Sequence, residues 1–265
     1  MSFDMPIAVQ ADFTVLYEDA DVLVVDKAAP LLMHPTGVKN EPTLWHGVCE
    51  LLAYELACGG QVSLVNRLDR ETSGITIIAK NAASAKELGK AMQRRDMRKE
   101  YLALVRGCPL WDSACCAEPI LQMEQVAHTR IHVRQCCYPL GKPCRTDFEV
   151  LQRVPARAHL PAMALLRCRP LTGRMHQIRV HLAHLGFPII GDKIYGGDEQ
   201  NYLDFIETGW TPALEQRLFL PRHALHASAL SFPLREQMIT VTSPLPEDIA
   251  ALLQCTPHPH GNGDL

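Results

Sequence analysis

The sequence predicts a mixed α+β fold, built on a long, mainly antiparallel sheet flanked by helices. Many short β-type segments are interspersed with few helical ones, and their order does not follow the regular strand–helix alternation of a parallel sheet. The composition, 47% hydrophobic and 21% charged residues, is that of an ordinary globular protein. We therefore expect one domain over residues 1–253 and a disordered tail at 254–265.

The N-terminal half begins with a hairpin pattern. Residues 13–17 and 22–25 are rich in β-type side chains, and an acidic turn separates them. Residues 43–58 predict a helix, and the apolar run at 74–80 predicts a strand. Asn81 follows that strand and is a suitable N-cap for a second helix.

The C-terminal half contains further strand patterns. They cover residues 100–107, 146–154, 162–170 and 223–232. Between the last two, residues 201–218 predict two short helices.

Another helix is predicted ahead of Gly186, which stands where a C-cap glycine is expected. Its apolar stripe comprises Met175, Ile178, Leu182 and Leu185. The pattern alone favours an amphipathic helix with a polar outer face, which places His176, Arg179 and His184 off the stripe or at its edge.

The net charge of −3 conceals an asymmetry. Residues 128–179 carry ten Lys and Arg against two acids, which gives this stretch a charge of +8 and leaves −11 for the rest of the chain. Five more positive residues lie within 90–99. Solvated surface faces would explain either cluster, but two basic clusters in an acidic chain also suggest a surface that binds a polyanion.

The sequence carries no recognisable metal or cofactor motif. His176, His181 and His184 lack the spacing and the nearby acid of a zinc-binding helix. The ten cysteines include adjacent pairs but no C-x-x-C, and adjacent cysteines are poor tetrahedral chelators. We therefore expect these cysteines to act as small buried hydrophobic residues. P-loop and dinucleotide-binding motifs are missing as well. We therefore expect neither a metal nor a cofactor.

Targeting features are also missing. No apolar run approaches the ~20 residues that span a bilayer, and the first thirteen residues contain acids but no basic leader. The cysteines are spread over a long chain rather than concentrated in a short one. We therefore expect a cytoplasmic protein with reduced thiols and no membrane association.

The loop NRLDRETSG at 66–74 places four charged residues between two hydrophobic β-type segments. It can be a polar turn with an Asx-type hydrogen bond at Asp69, or an active-site loop carried by a rigid sheet. Arg67 and Arg70 lie within two residues of Asp69. A turn that only has to be soluble does not need charges so close together. A two-carboxylate glycosidase would need a second acid beside Asp69, and no such partner is evident.

Six segments occur in a consistent order between about Val15 and Phe232. They are VLYEDADVLVVDKAAPLLMHP, NRLDRETSG, RKEYLALVRG, GKPCRTDFEVL, LTGRMHQIRVHLAHLGFPIIGDKIYG and RHALHASALSF. Together they resemble the RluA family of pseudouridine synthases, and six motifs in register are far more specific than any one of them.

The resemblance implies the pseudouridine synthase fold, with an active-site cleft across the middle of the sheet. It also implies an enzyme that isomerises uridine in RNA to pseudouridine without metal or cofactor. By matching motifs, Asp69 would be the catalytic aspartate, Tyr101 the catalytic tyrosine and Arg179 the arginine of the third motif. Ile178 would pack on the target base, and Arg67 would occupy the space that the flipped base leaves.

Two departures from the family pattern remove no group that this chemistry requires. Asn66 stands where many members have histidine, and KAAP at 27–30 replaces the commoner Lys-Pro-Ala-Gly. The first strand begins near Phe13, which leaves no room for the RNA-binding accessory domain of many relatives. We therefore expect a monomer that recognises a stem-loop of ribosomal or transfer RNA through the catalytic domain.

Two alternatives stay open at this point. One is a catalytically silent RNA-binding protein that keeps the same fold. The other is a hydrolase of a nucleoside bond, which would need a second carboxylate placed to activate water near Asp69.

Overall fold

The computed structural model describes residues 12–35, 41–157 and 159–254. The tail predicted to be disordered lies outside these residues, apart from Gln254 at the end of the last helix. Among the helices of the described ranges, none has the length and apolarity that a bilayer crossing requires.

Strands and helices alternate irregularly along the described chain. The strands are β1 (Phe13–Glu18), β2 (Val22–Lys27), β3 (Ser63–Leu64), β4 (Ser73–Ala79), β5 (Arg98–Arg106), β6 (Ser113–Cys116), β7 (Ile120–Gln122), β8 (Gln135–Cys137), β9 (Thr146–Val154), β10 (Met163–Pro170), β11 (Leu225–Leu234) and β12 (Gln237–Thr242). The helices are α1 (Leu44–Leu51), α2 (Ala53–Ala57), α3 (Ala82–Arg94), α4 (Gln177–His184), α5 (Gln200–Thr208), α6 (Pro212–Leu218) and α7 (Glu247–Gln254).

One ten-stranded sheet organises the described residues. Its order is β1-β2-β4-β11-β5-β10-β9-β6, with β12 beside β11 and β3 beside β4. The pair formed by β4 and β11 is parallel, and the other pairs of this sheet are antiparallel. The predicted α+β class with a long, mainly antiparallel sheet is therefore confirmed.

Strand β4 is buried along its whole length and lies between two hydrophobic layers. On one face, Ile75 and Ile77 pack in a cluster with Leu88 of α3. On the other face, Ile78 packs in a cluster with Leu44 of α1. Because both faces of β4 are held by close packing, the loop that precedes it is mounted on a rigid strand.

Gly74 permits the parallel contact between β4 and β11. It pairs with Ala227 and has a φ of +113°, which favours glycine. A Cβ added at this position would lie 2.4 Å from the carbonyl oxygen of Ala227. The close approach brings the loop before β4 against the segment that leads into β11.

Most of the predicted elements are confirmed. The N-terminal hairpin forms as β1 and β2, and the later strand patterns form as β5, β9, β10 and β11. The side chain of Asn81 caps α3 by accepting a hydrogen bond of 2.9 Å from the backbone N–H of Ser84. Residues 201–218 contain α5 and α6, whereas the single helix expected at 43–58 is divided into α1 and α2.

The prediction of a polar outer face on the helix before Gly186 is wrong. Helix α4 buries Gln177, Arg179 and His181, while Met175 precedes the helix and is 42% exposed. A buried polar side chain is stable only when it is hydrogen-bonded. Here Gln177 and His181 bond to Thr146, and Arg179 bonds to carboxylates that are described below.

Candidate active site

A cavity of about 440 Å³ lies between the loop before β4, the segment leading into α4 and the middle of the sheet. Five of its lining residues are those that the sequence motifs singled out, namely Arg67, Asp69, Tyr101, Ile178 and Arg179. They come from three distant parts of the chain. The sheet and α4 bring them together.

Asp69 lies in a tight turn at the edge of this cavity. The backbone N–H of Thr72 donates to its carbonyl oxygen at 3.1 Å, and its side chain is 25% exposed. The next residue, Arg70, anchors the turn from behind, because its carbonyl oxygen accepts from the backbone N–H of Leu31 and from Nζ of Lys27. The carboxylate of Asp69 is thus held facing the cavity.

Lys27 stabilises this arrangement from the core. Its side chain is fully buried and donates to the carbonyl oxygens of Ala28, Leu31 and Arg70 at 2.9, 3.0 and 3.2 Å. Burial, together with the positive charge of Arg222, lowers the pKa of Lys27 to about 7.

Arg179 connects Asp69 to a second carboxylate. Its Nη1 donates to Oδ2 of Asp69 at 3.0 Å, while its Nε and Nη2 donate to both oxygens of Asp192 at 2.7 and 2.9 Å. Asp192 is fully buried and also accepts from the backbone N–H groups of Ile194 and Tyr195 at 3.0 Å each. The fork of donors on arginine suits this double contact, which a lysine could not make.

The arginine is the main group that keeps Asp69 ionised. Burial would raise the pKa of this carboxyl, but the charge and hydrogen bond of Arg179, with smaller contributions from His176 and His223, together hold the pKa below the ordinary value. The same opposition acts at Asp192, whose pKa is lowered although the residue is buried. Both groups are therefore carboxylates at neutral pH.

His176 and Tyr195 complete the surroundings of Asp69. Nε2 of His176 lies 3.8 Å from Oδ2 of Asp69, and the Tyr195 hydroxyl bonds to Nδ1 of His176 at 2.9 Å. That hydroxyl also accepts from the backbone N–H of Gln135, and the guanidinium of Arg179 lies over the Tyr195 ring. Burial, helped by Arg179, lowers the pKa of His176 to about 4, so the ring is neutral at pH 7.

Tyr101 and Ile178 supply the apolar walls. Tyr101 projects from β5 between its strand partners Cys168 and Ala227. Burial raises its pKa, and the charge of Asp69 raises it further, so the phenol keeps its proton at neutral pH. Ile178 on α4 is 6% exposed. The two side chains offer a flat ring and an aliphatic surface within one cavity.

Comparisons with known proteins show the family of this chain. The family model described as RNA pseudouridylate synthase matches residues 21–184. The chain belongs to this family. It is 36% identical over 247 residues to the ribosomal large subunit pseudouridine synthase D of Nitrosomonas europaea, with 91% of this chain and 64% of that protein covered. It is 35% identical to the protein of the same name from Xylella fastidiosa, with 90% and 68% covered.

A solved structure of the family shares the fold. Human RNA pseudouridylate synthase domain containing 1 superposes with a TM-score of 0.65 at 26% identity, over 96% of this chain and 99% of that one. The chain spans about two thirds of the length of the bacterial relatives. The resemblance to pseudouridine synthases seen in the sequence is thus confirmed.

The basic surface expected of residues 128–179 is largely neutralised in this family member. Arg167 and Arg169 pair with Glu100 and Glu149, and Arg145 pairs with Asp147. One of these acids, Glu100, belongs to the neighbouring strand β5. It lies outside residues 128–179, so the charge count of that stretch did not include it. Positive charge remains around the cavity instead, where the lining includes Arg67, Arg95, Lys99 and Arg174.

Sequence reasoning missed two residues of this candidate site, Asp192 and Tyr195. Both lie in the segment GDKIYG, which was recognised as part of a motif but given no role. Their signal was an acid and a tyrosine three residues apart in an otherwise apolar and glycine-rich run. His176 was considered as an outer-face residue and as a member of a rejected zinc site, and its side chain is 10% exposed.

Proposed function

We propose that this chain is an isomerase that converts specific uridines of a structured RNA to pseudouridine. The observation that carries the proposal is the ionised carboxylate of Asp69, held by buried Arg179 in a cavity with several cationic lining residues. An RNA substrate is polyanionic, so a carboxylate in its binding cavity weakens binding and needs a chemical reason to be there.

The reaction rearranges the nucleoside without consuming any other reactant. The bond between C1′ of the ribose and N1 of the uracil breaks, and a bond between C1′ and C5 forms. The proton on C5 is lost, and N1 gains one. An ionised carboxylate can assist as a nucleophile, on the ring or on C1′.

Each of the cavity residues has a role in this proposal. Arg179 keeps Asp69 ionised and oriented. Tyr101 stacks on the uracil, and its protonated hydroxyl is available for proton transfer. Ile178 supplies an aliphatic surface that also packs against the uracil.

A uridine within a stem is unreachable until it leaves the stack. Flipping costs on the order of a few kcal/mol, which contacts with the RNA must offset. Arg67 is exposed at the cavity and can fill the space that the base leaves. Lys99 and Arg174 lie close enough to the cavity to contact the flanking phosphates.

The preferred substrate is a stem-loop of ribosomal RNA, since the bacterial relatives are named for the large ribosomal subunit. Transfer RNA is the second pool to test. We infer that the protein is a monomer. We also infer that it acts in the cytoplasm, because ribosomal and transfer RNA are there. The isomerisation is redox-neutral, and the proposal assigns no metal or cofactor to the reaction centre.

The two alternatives are less well supported. A hydrolase needs a second carboxylate to activate water, and Asp69 is the one carboxylate among the described residues that line the cavity. Asp192 cannot serve, because both of its oxygens are bonded and it has no exposed surface. A silent binding protein would gain nothing from an ionised acid facing a polyanion.

Tritium release from RNA labelled at C5 of uridine tests the proposal. Total ribosomal and total transfer RNA are assayed separately with the wild type, with Asp69→Asn and with Asp112→Asn, an exposed acid outside the cavity. We expect release from one pool, lost in Asp69→Asn with no loss of RNA affinity and kept in Asp112→Asn. Tight, salt-sensitive binding without release from either pool would instead indicate a silent binding protein.

A further inference from the structure

A second cluster of ligating side chains lies on another face of α4. Cys116 ends β6, Cys137 ends β8, and His181 stands two residues after Arg179, about 200° further around the helix. The two Sγ atoms and a ring nitrogen of His181 all lie within 4.8 Å of one another. Cys144 joins them, with its Sγ 3.4 Å from Nε2 of His181.

The distances and burial suit a tetrahedral metal ion. Zn–S bonds of about 2.3 Å and Zn–N bonds of about 2.0–2.1 Å place sulfur and nitrogen roughly 3.6 Å apart in a tetrahedron. Cys116, Cys144 and His181 are 3%, 7% and 0% exposed, and Cys137 is half-buried. Two thiols and one imidazole thus converge in a largely buried space, and the Cys144 thiol lies beside the imidazole nitrogen, where it can become the fourth ligand.

The surroundings leave Nε2 of His181 as the ligand atom. Nδ1 lies 2.9 Å from Oγ1 of Thr146, which also accepts from Gln177, and such an outer bond fixes the ring of a metal-binding histidine. Nε2 and the Cys144 thiol now both lie within bonding distance of the Glu118 carbonyl oxygen, at 3.0 and 3.2 Å. A metal would replace these two hydrogen bonds: the Cys144 thiol would release its proton, and the imidazole would stay neutral with its one proton on Nδ1, donated to Thr146.

We propose that Cys116, Cys137, Cys144 and His181 bind one zinc ion in a structural site. Thiolates with one imidazole favour zinc among the common divalent metals, and four protein ligands leave no open position for catalysis. The sequence-based expectation of no metal rested on the poor chelation by adjacent cysteines. The fold avoids that difficulty by taking one member of each pair, Cys116 but not Cys115 and Cys137 but not Cys136.

Such a site would tie the ends of β6 and β8 to the helix that carries Ile178 and Arg179. This inference stands apart from the proposed function, since the metal would support α4 and take no part in the reaction. Its failure would leave the uridine chemistry untouched.

Metal content tests the site directly. The wild-type chain, produced with zinc in the medium and purified under reducing conditions, is analysed by elemental mass spectrometry. Apoprotein is then titrated with cobalt(II), which gives intense visible bands and thiolate charge-transfer bands when it is tetrahedral and sulfur-bound. Cys116→Ser and Cys137→Ser are compared with the matched controls Cys115→Ser and Cys136→Ser, which alter the neighbouring thiols.

We expect about one zinc per chain and the tetrahedral cobalt spectrum in the wild type and in both controls, with loss of both in the ligand variants. If a ligand variant does not fold, thiol labelling of the wild type decides instead, because zinc should protect Cys116, Cys137 and Cys144 until a chelator is added. A wild type without zinc and without the cobalt bands would overturn the proposal.

Discussion

Asp192 holds Arg179 from the buried side and leaves one edge of the guanidinium for Asp69. The two contacts to Asp192 measure 2.7 and 2.9 Å, and the one contact to Asp69 measures 3.0 Å. Asp192 is fully buried, whereas Asp69 is 25% exposed and lines the cavity. The orientation of the proposed nucleophile therefore depends on a positioning residue that does not line the cavity.

Asp192→Asn should impair both stability and turnover. Removing one partner of a buried ion pair costs about 3–5 kcal/mol, because the remaining charge loses its compensation. We expect chemical denaturation to show a loss of this size, and the kcat for tritium release to fall at least ~10-fold with a smaller change in KM. Glu207→Gln alters an exposed acid on α5 and serves as the control. An unchanged kcat in a folded Asp192→Asn protein would show that Asp192 acts on stability alone.

Arg179→Lys should move the pH dependence of the reaction. In the wild type the pKa of Asp69 lies below its ordinary value, so activity should persist until the pH falls through that lowered pKa. The single nitrogen of lysine cannot reproduce the three-point contact with the two carboxylates, so burial weighs more heavily and the pKa of Asp69 rises above its wild-type value. We expect the acid limb of kcat/KM to shift to higher pH and kcat to fall about 100-fold. An acid limb that does not move would mean that another group controls it.

The sequence predicts best those features that depend on local pattern. Strand β4 could be predicted because its apolar run is short and bounded by polar turns, and Asn81 because an N-cap is a contact within one helical turn. The charged loop around Asp69 was noticed because it interrupts two apolar segments, but the role of Asp69 came from the resemblance to the family. These are statements about neighbours in the chain.

The polar partners of α4 could not be predicted in this way. Hydrophobic periodicity assigns an arginine to the outer face of a helix, and Arg179 is buried because Asp69 and Asp192 neutralise it. One of these partners is 110 residues away. The charge count of residues 128–179 missed the neutralisation of this stretch for the same reason. Glu100 lies outside the stretch, on another strand of the sheet, and pairs with Arg167 and Arg169.

Two substitutions of Tyr101 should separate the ring from its hydroxyl. Tyr101→Phe keeps the stacking surface, so we expect nearly unchanged RNA affinity and a kcat lowered by about 10²–10⁴, the usual contribution of a proton-transfer group. Tyr101→Leu should also weaken binding, because base stacking is worth about 1–3 kcal/mol. Anisotropy measures the RNA affinity, and tritium release measures kcat. A fully active Tyr101→Phe would reduce the role of Tyr101 to stacking.

The cationic residues of the cavity should determine how strongly salt weakens RNA binding. Each phosphate contact contributes about 0.7–0.9 to the slope of log K against log salt. Lys99→Gln and Arg174→Gln should each reduce the slope by about that amount, since both residues line the cavity. Lys86→Gln removes an exposed charge of α3 outside the cavity and should leave the slope unchanged. Equal effects of all three would point to diffuse attraction rather than to contacts at this site.

His176 should make the protein less stable as the pH falls from about 6.5 to about 4. Burial, with help from Arg179, lowers the pKa of His176 to about 4 in the folded state, whereas an unfolded histidine titrates near ~6.5. Between these values the unfolded chain binds more protons, so acidification favours it, by up to about 3 kcal/mol for this one residue. Stability is measured by chemical denaturation at pH 7 and pH 5.

His176→Gln should lessen the stability difference between pH 7 and pH 5. The exposed His184, on the same helix, gives the control variant His184→Gln, which should keep the full difference. Part of the difference should remain in His176→Gln, because burial also lowers the pKa of His223 well below its usual range. If His176→Gln kept the whole difference, or if the ring of His176 were found protonated at pH 6 by NMR, the neutral histidine beside Asp69 would be ruled out.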